Sequence, residues 1–473
     1  MNKILNLLRS ERLSAFFDGL PYIALCALLS FVGWLSGGML YILIAELLLC
    51  ALILPFRKTP RMAIPLALFA QHGFFDTSVF FVPWALGVLI ATGVLALASL
   101  IYLMVKNKLR PTLSIMTVGF FALIVSHFFG GVTEGFIGSS YWLFGMGTVL
   151  FATAFFILIS SCEKSLASRY TAMLFAVFGC LICAEYLANL PRIIKQGVSL
   201  FDGVIHKFGL GWGHPNDAAR LMLISIPFIA YLISKEKKPT LYCAMFLFVS
   251  AVLILTLSRS AILAYAILLV PIVLVAFLKA KNRKAVLINF GAFAGVLLVV
   301  FLSLLPTLKP IFVTLRERGL GDNGRYNIWE TAIANYKGGN WFFGRGFNYA
   351  TSVSHMGWDE FETYHNVPLQ FLSDLGVLGL LSYLFFIGAI LTPAVRLIIK
   401  KQSVAFCVAS IVAILAQEIM GLFLPSFWQV FYFVPLFFIL TTINNKYEAY
   451  QRLQEPLEGA TFIKRIELRG NNL

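Results

Sequence analysis

The sequence predicts an all-α polytopic membrane protein: a bundle of about 12–14 transmembrane helices with one large outer-face loop carrying short helices. Three observations predict it. The chain of 473 residues is 59% hydrophobic and only 12% charged, more apolar surface than a water-soluble protein of this length can hide. Apolar runs near twenty residues recur along it, separated by short basic clusters. These runs are continuous and do not alternate, which argues for helices and against a β-barrel. The third observation is a polar stretch from roughly Leu305 to Asn366 between two apolar runs. Long loops are uncommon and usually functional, so this one is read as covering a site on the outer face.

In chain order, apolar segments fall at about 20–36, 38–55, 62–82, 84–105, 113–132, 141–161, 170–188, 219–234, 240–257, 261–279, 286–305, 367–396, 404–424 and 427–443. The weakest is 62–82, whose Gln71, His72 and Asp76 suggest a broken or re-entrant segment; 219–234 is short. With the N-terminus inside, alternation puts all but eleven of the 37 Lys and Arg on the inner side, in clusters such as Arg57/Lys58/Arg61, Lys235/Lys237/Lys238 and Arg396/Lys400/Lys401. That is the positive-inside pattern, with both termini cytoplasmic. The net charge of +15 is therefore mostly a topology signal and no pointer to nucleic acid. No cleavable signal peptide is evident, because Met1 to Ser14 is basic and amphipathic. The seven cysteines lie mostly inside apolar runs and read as small buried residues, the Cys180/Cys183 pair included.

Four motifs on the expected outer side carry chemistry-bearing residues. Gly209 to Arg220 is glycine-rich and contains His214, Asn216 and Arg220 at the opening of a helix; a helix N-terminus attracts phosphate, or this is an ordinary interfacial cap. Ser258-Arg259-Ser260 wedges an arginine between two apolar runs. Its planar fork suits phosphate, or it snorkels to lipid head groups. Arg325 opens a helical stretch, Asn327 to Tyr336, that contains Trp329, and Arg345 sits between Gly344 and Gly346 in a turn. Trp329 could stack on a sugar face or anchor the loop, and both arginines could belong to a solvated basic loop. The last motif starts at Tyr364-His365-Asn366. Asn366, Gln370 and Asp374 are spaced by four and share a helix face, which would line a cavity or pair with arginines. His365 at its mouth can serve as a general base near neutral pH, or cap the helix. There is no DxD pair, P-loop, HExxH or GxSxG elbow. The Asp359/Glu360/Glu362 run reads as solvated loop rather than a metal site. No metal and no cofactor is expected.

The SR turn at Ser258-Arg259-Ser260, Gly324-Arg325 with Trp329, Phe343-Gly344-Arg345-Gly346, and His365-Asn366 with Gly376 and Gly379 resemble the O-antigen ligase and polymerase superfamily. The His214-Pro215-Asn216 block is also similar, so the resemblance covers about residues 205–425. It implies a metal-independent glycosyltransferase at the outer face of the bacterial inner membrane. The donor would be a glycan on undecaprenyl pyrophosphate; the acceptor would be another lipid-linked glycan, lipid A-core or another surface molecule. The resemblance maps donor pyrophosphate binding onto Arg259 and Arg325, and assistance to the acceptor hydroxyl onto His365. His214, Asn216, Arg220, Trp329, Arg345, Asn366, Gln370 and Asp374 are expected to contact substrate. The chain departs from the family at Asp374, where many members carry glutamate. The implied organisation is N-terminal membrane helices over 1–204, a ligase or polymerase core over 205–445 that includes the loop 306–366, and a cytoplasmic tail over 446–473. The competing class is a polysaccharide or lipid-linked oligosaccharide transporter or flippase. Such proteins favour internal repeats and midplane polar residues in both halves; no repeat is visible here, and the polar residues gather at one face.

Overall fold

The computed structural model describes residues 10–69, 83–195, 212–318, 325–349, 364–424 and 427–454. Gln71, His72 and Asp76, the glycine-rich approach to Trp212, Gly324 and the acidic run Asp359/Glu360/Glu362 lie outside the described residues. Among the described residues sixteen α-helices follow one another: α1 Glu11–Phe17, α2 Leu20–Ser36, α3 Met39–Ile53, α4 Ala63–Phe69, α5 Pro83–Lys106, α6 Ile115–Phe129, α7 Ser140–Cys162, α8 Ser168–Lys195, α9 Pro215–Lys235, α10 Thr240–Leu255, α11 Arg259–Leu278, α12 Arg283–Arg318, α13 Arg325–Gly338, α14 Val367–Ile399, α15 Val404–Gly421 and α16 Val430–Gln454. No strand occurs among the described residues.

Local chemistry sets many helix ends. Pro21 stands in the first turn of α2, and Gly37 ends it in the left-handed region (φ 72), donating back to Gly33 and Trp34. Ser139 accepts from the Trp142 amide to cap α7. His214 and Asn366 cap α9 and α14, each followed by proline in the first turn.

Among the described residues nine helices are long and apolar enough to cross a membrane, or ten if α1 and α2, bent by 56°, form one span. That is fewer than the twelve to fourteen expected from the apolar runs. α10 has only 16 residues, and of the 62–82 segment only 62–69, which hold α4, are among the described residues. The opposite error occurs after Leu305. The stretch from Leu305 on reads as polar loop, yet α12 runs unbroken for 36 residues to Arg318, so the polar connection is shorter than 306–366.

The bundle has two distinct ends. At one, the basic loops meet: Arg61 bonds Glu163 at 2.9 Å, Lys106 donates to the Pro55 carbonyl, Arg169 pairs with Glu236, and Arg396 donates to the Tyr447 hydroxyl. At the other, Trp428 donates to His127, Gly131 to Phe343 and Trp329 to Tyr364. These contacts join loops that the charge pattern assigns to the same side.

α9 is the hub. It packs against α8, α10, α11 and α15, and 94% of its span is buried, against 6% for the span in α12. The outward faces of α5, α11 and α12 carry exposed Val94, Val105, Val270 and Val299, which is the surface a lipid environment requires.

Candidate active site

The site grows from a break. α14 is two helical pieces joined at Gly376, whose φ of 67° and ψ of −163° are not helical. A break inside a span frees backbone donors and acceptors that lipid cannot satisfy. Here the loop after α13 satisfies them. Val377 and Leu378 donate to the carbonyls of Trp341 and Phe342 at 3.0 and 3.1 Å, and Gly346 donates to the Asp374 carbonyl at 2.7 Å. Gly344 and Gly376 touch backbone to backbone. A Cβ on Gly344 would lie 2.3 Å from the Asp374 oxygen, and one on Gly376 would lie 2.4 Å from the Phe342 oxygen. Gly346 also has positive φ (110°), so both glycines flanking Arg345 shape the turn read from the sequence.

The polar stripe of α14 holds this loop. Asp374 accepts from the Asn348 amide at 2.8 Å and from the Gln370 side chain. Gln370 in turn accepts from the Tyr364 amide at 3.0 Å. Gln370 and Asp374 are 2% and 1% exposed. The shared face was legible, but among the described residues the stripe meets no arginine: Gln370 and Asp374 bond each other and the amides of Tyr364 and Asn348. Asn366 accepts from the Leu369 amide at 2.9 Å as the helix cap.

His365 sits at this junction in a left-handed conformation, φ 51°, which is uncommon for a residue with a Cβ. It is half-buried, and its Nδ1 is buried without a hydrogen-bond partner. Burial lowers its pKa below the ordinary 6.5, and the charge of Arg325 lowers it further. Both effects favour the neutral imidazole, the form that can take a proton. α13 brings Arg325 there. It begins on Arg325 and runs to Gly338, longer than the expected Asn327 to Tyr336. Trp329 donates its indole N–H to the Tyr364 carbonyl at 3.0 Å, and Asn335 donates to the Tyr364 hydroxyl at 2.6 Å. The Arg325 guanidinium lies over the Phe423 ring at 5.6 Å. Burial and then the Asp374 carboxyl push the Tyr364 phenol up. Arg345 lies over Tyr349 at 5.1 Å and packs against Gly338 and Gly339, where a Cβ would come within 2.4 Å of its side chain.

Arg259 begins α11 after Ser258, with Thr256 accepting from the Ser258 amide at 3.3 Å and Leu257 in the left-handed region. α9 and α11 pack together, and at their C-terminal ends Lys281 donates to the Ser234 carbonyl. The two helices therefore run parallel, so Arg259 stands at the same end as His214 and Asn216. His214 is exposed and accepts from the Asn216 amide at 3.2 Å. Arg220, expected to contact substrate, is 0% exposed within the bundle. Its Nη2 donates to Gln429 at 3.3 Å and lies 3.7 Å from Asp217, while Nε and Nη1 have no hydrogen-bond partner.

Sequence reading missed several residues here. Glu418 accepts hydrogen bonds from Tyr383 and Tyr432 and acts electrostatically on Arg220. His127 is buried, accepts from Trp428 at 2.9 Å, and has its other ring nitrogen 2.8 Å from the Leu123 carbonyl. A lone acid or histidine inside an apolar run was the available signal. Among the described residues no three His, Cys, Asp or Glu side chains gather as a metal site would need.

No curated protein matches the chain. The model of a family described as O-antigen ligase matches residues 244–384, just under a third of the sequence. The match includes Arg259, Arg325, the strapped loop, His365 and the break at Gly376. Over residues 244–384 this helical membrane protein is similar to the O-antigen ligase family.

Proposed function

We propose that the protein transfers a glycan from undecaprenyl pyrophosphate to an acceptor hydroxyl at the outer face of the bacterial cytoplasmic membrane. The observation that carries this reading is His365, an imidazole favoured in its neutral form with an unpartnered Nδ1, set within the field of Arg325 inside the region similar to the O-antigen ligase family. In the reaction the acceptor oxygen attacks the anomeric carbon of the donor sugar. The hydroxyl proton passes to the imidazole of His365, and the bond from that carbon to the pyrophosphate oxygen breaks. Negative charge grows on the leaving pyrophosphate, where Arg259 and Arg325 offer bidentate donors. His214 and Asn216 at the start of α9 contact donor or acceptor sugar, while Trp329 positions His365 through its bond to the Tyr364 carbonyl. Gln370 and Asp374 act through the loop and not on substrate, because their side chains are taken up in holding it, and Arg345 packs beside them against Tyr349, Gly338 and Gly339.

The test uses the purified full chain with a defined lipid-linked donor and candidate acceptors, with products read by mass. A product enlarged by one donor glycan, absent without acceptor, is expected. Donor that binds yet is never transferred to any lipid-linked, lipid A-core or protein acceptor would refute the reading.

A further inference from the structure

A second site lies at the opposite, basic end of the bundle. There α6, α14 and α16 leave a cleft of about 430 Å³. One wall is apolar: Ile115, Val118 and Phe121 are 38%, 49% and 47% exposed. The other wall is polar and carries Arg396, Asn444 and Glu448. Arg396 donates Nη1 to the Tyr447 hydroxyl at 2.7 Å, which fixes the guanidinium at the rim. Glu448 is already engaged: it accepts from Asn444 at 2.7 Å and pairs with Lys164 and Arg452 at 3.3 and 3.4 Å. The polar wall and its immediate neighbours thus hold three cations against one carboxylate. Asn444 is 0% exposed, and its Oδ1 has no hydrogen-bond partner. A buried acceptor without a donor calls for an explanation, and here it lies in the lining of an open cleft.

We propose that this cleft binds one anionic glycerophospholipid. Its phosphate would meet Arg396, a head-group hydroxyl would supply the donor that Asn444 Oδ1 lacks, and its chains would lie along Ile115, Val118 and Phe121. A free phosphate has no use for the apolar wall, and a zwitterionic lipid brings no net negative charge to the cationic one. The site is remote from His365, so it stands or falls independently of the proposed transfer.

Native mass spectrometry of the full chain in detergent tests it, with phosphatidylglycerol, phosphatidylcholine of the same chains, and chain-free glycerol phosphate as probes. Retention of phosphatidylglycerol above the other two is expected. Arg396→Gln should lower that retention roughly fivefold, the worth of one basic residue near an anionic lipid surface, and leave phosphatidylcholine unchanged. Val118→Trp should lower it as well, by filling the apolar wall while keeping every charge. Val118 is half exposed, so this variant keeps the bundle packing and serves even where Arg396→Gln fails to fold. Equal retention of the two lipids, glycerol phosphate bound as well as the intact lipid, or Val118→Trp retaining phosphatidylglycerol at the parental level would overturn the proposal.

Discussion

The indole N–H of Trp329 donates to the carbonyl of Tyr364 at 3.0 Å, so the helix that opens on Arg325 is fastened to the residue preceding His365. Trp329→Phe keeps an aromatic ring and removes the indole N–H that makes this bond. A hydrogen bond is worth about 0.5–1.5 kcal/mol, so turnover should fall roughly two- to tenfold with KM little changed. Steady-state kinetics decide: a raised KM with turnover intact would make Trp329 a sugar-stacking residue instead.

His365 gives a pH signature. Its neutral form is the active one, and burial and Arg325 both resist protonation. Activity should therefore fall only as pH drops through a value below 6.5. Removing the positive charge in Arg325→Gln favours the imidazolium, so the acid limb of the kcat profile should move to higher pH whatever happens to the absolute rate. His365→Ala should lower turnover by the ~10²–10⁴ of a lost general base while donor binding persists. An active His365→Asn enzyme would reduce the residue to a cap.

Arg259 and Arg325 are assigned to the pyrophosphate as planar forks. Lysine keeps the charge and loses the paired donors. Arg259→Lys and Arg325→Lys should each depress kcat/KM, by roughly tenfold or more if one charged hydrogen bond of about 1.5–3 kcal/mol is lost. Parental rates in both variants would remove the clamp.

The contact of Gly344 with Gly376 predicts a stability effect. Each has positive φ and each faces backbone within 2.4 Å of where a Cβ would stand. Alanine there adds about 1–2 kcal/mol of left-handed strain and about 1–3 kcal/mol of overpacking. Thermal unfolding in detergent should show a clear drop for Gly344→Ala and Gly376→Ala. Gly388→Ala, which meets open space, should match the parent.

Orientation is checked by labelling. Lys337 and Lys284 are exposed and lie at opposite ends of the bundle, while the native cysteines are buried or half-buried. An impermeant maleimide applied to intact cells should label Lys337→Cys and spare Lys284→Cys. The reverse pattern would invert the proposed topology.

Much of this architecture was legible in local pattern. Runs of apolar residues identified most of the helices, basic clusters sorted the two ends, and the His214-Pro215 and Asn366 signals located two helix starts. Pairs far apart in the chain were not legible. The bond between Trp428 and His127 and the encounter of Arg220 with Gln429 and Glu418 depend on packing that no window of sequence contains. The extension of α12 past Leu305 was missed because Lys309, Arg316 and Arg318 end the apolar run without ending the helix. The spacing of Asn366, Gln370 and Asp374 revealed a polar face but not its partner, since a face can serve a cavity or a loop equally well.

α9 has the lowest hydropathy of the nine spans, 1.5, and the least contact with lipid. Translation delivers it well before α15 and α16. Until those arrive, Arg220 has only Asp217 for company, one helical turn away, because Gln429 and Glu418 have not yet been synthesised. Leaving such a pair facing hydrocarbon is unfavourable. The helix at the centre of the finished protein is thus the one least able to stay in the bilayer alone, and its residence is secured by residues that emerge from the ribosome long after it.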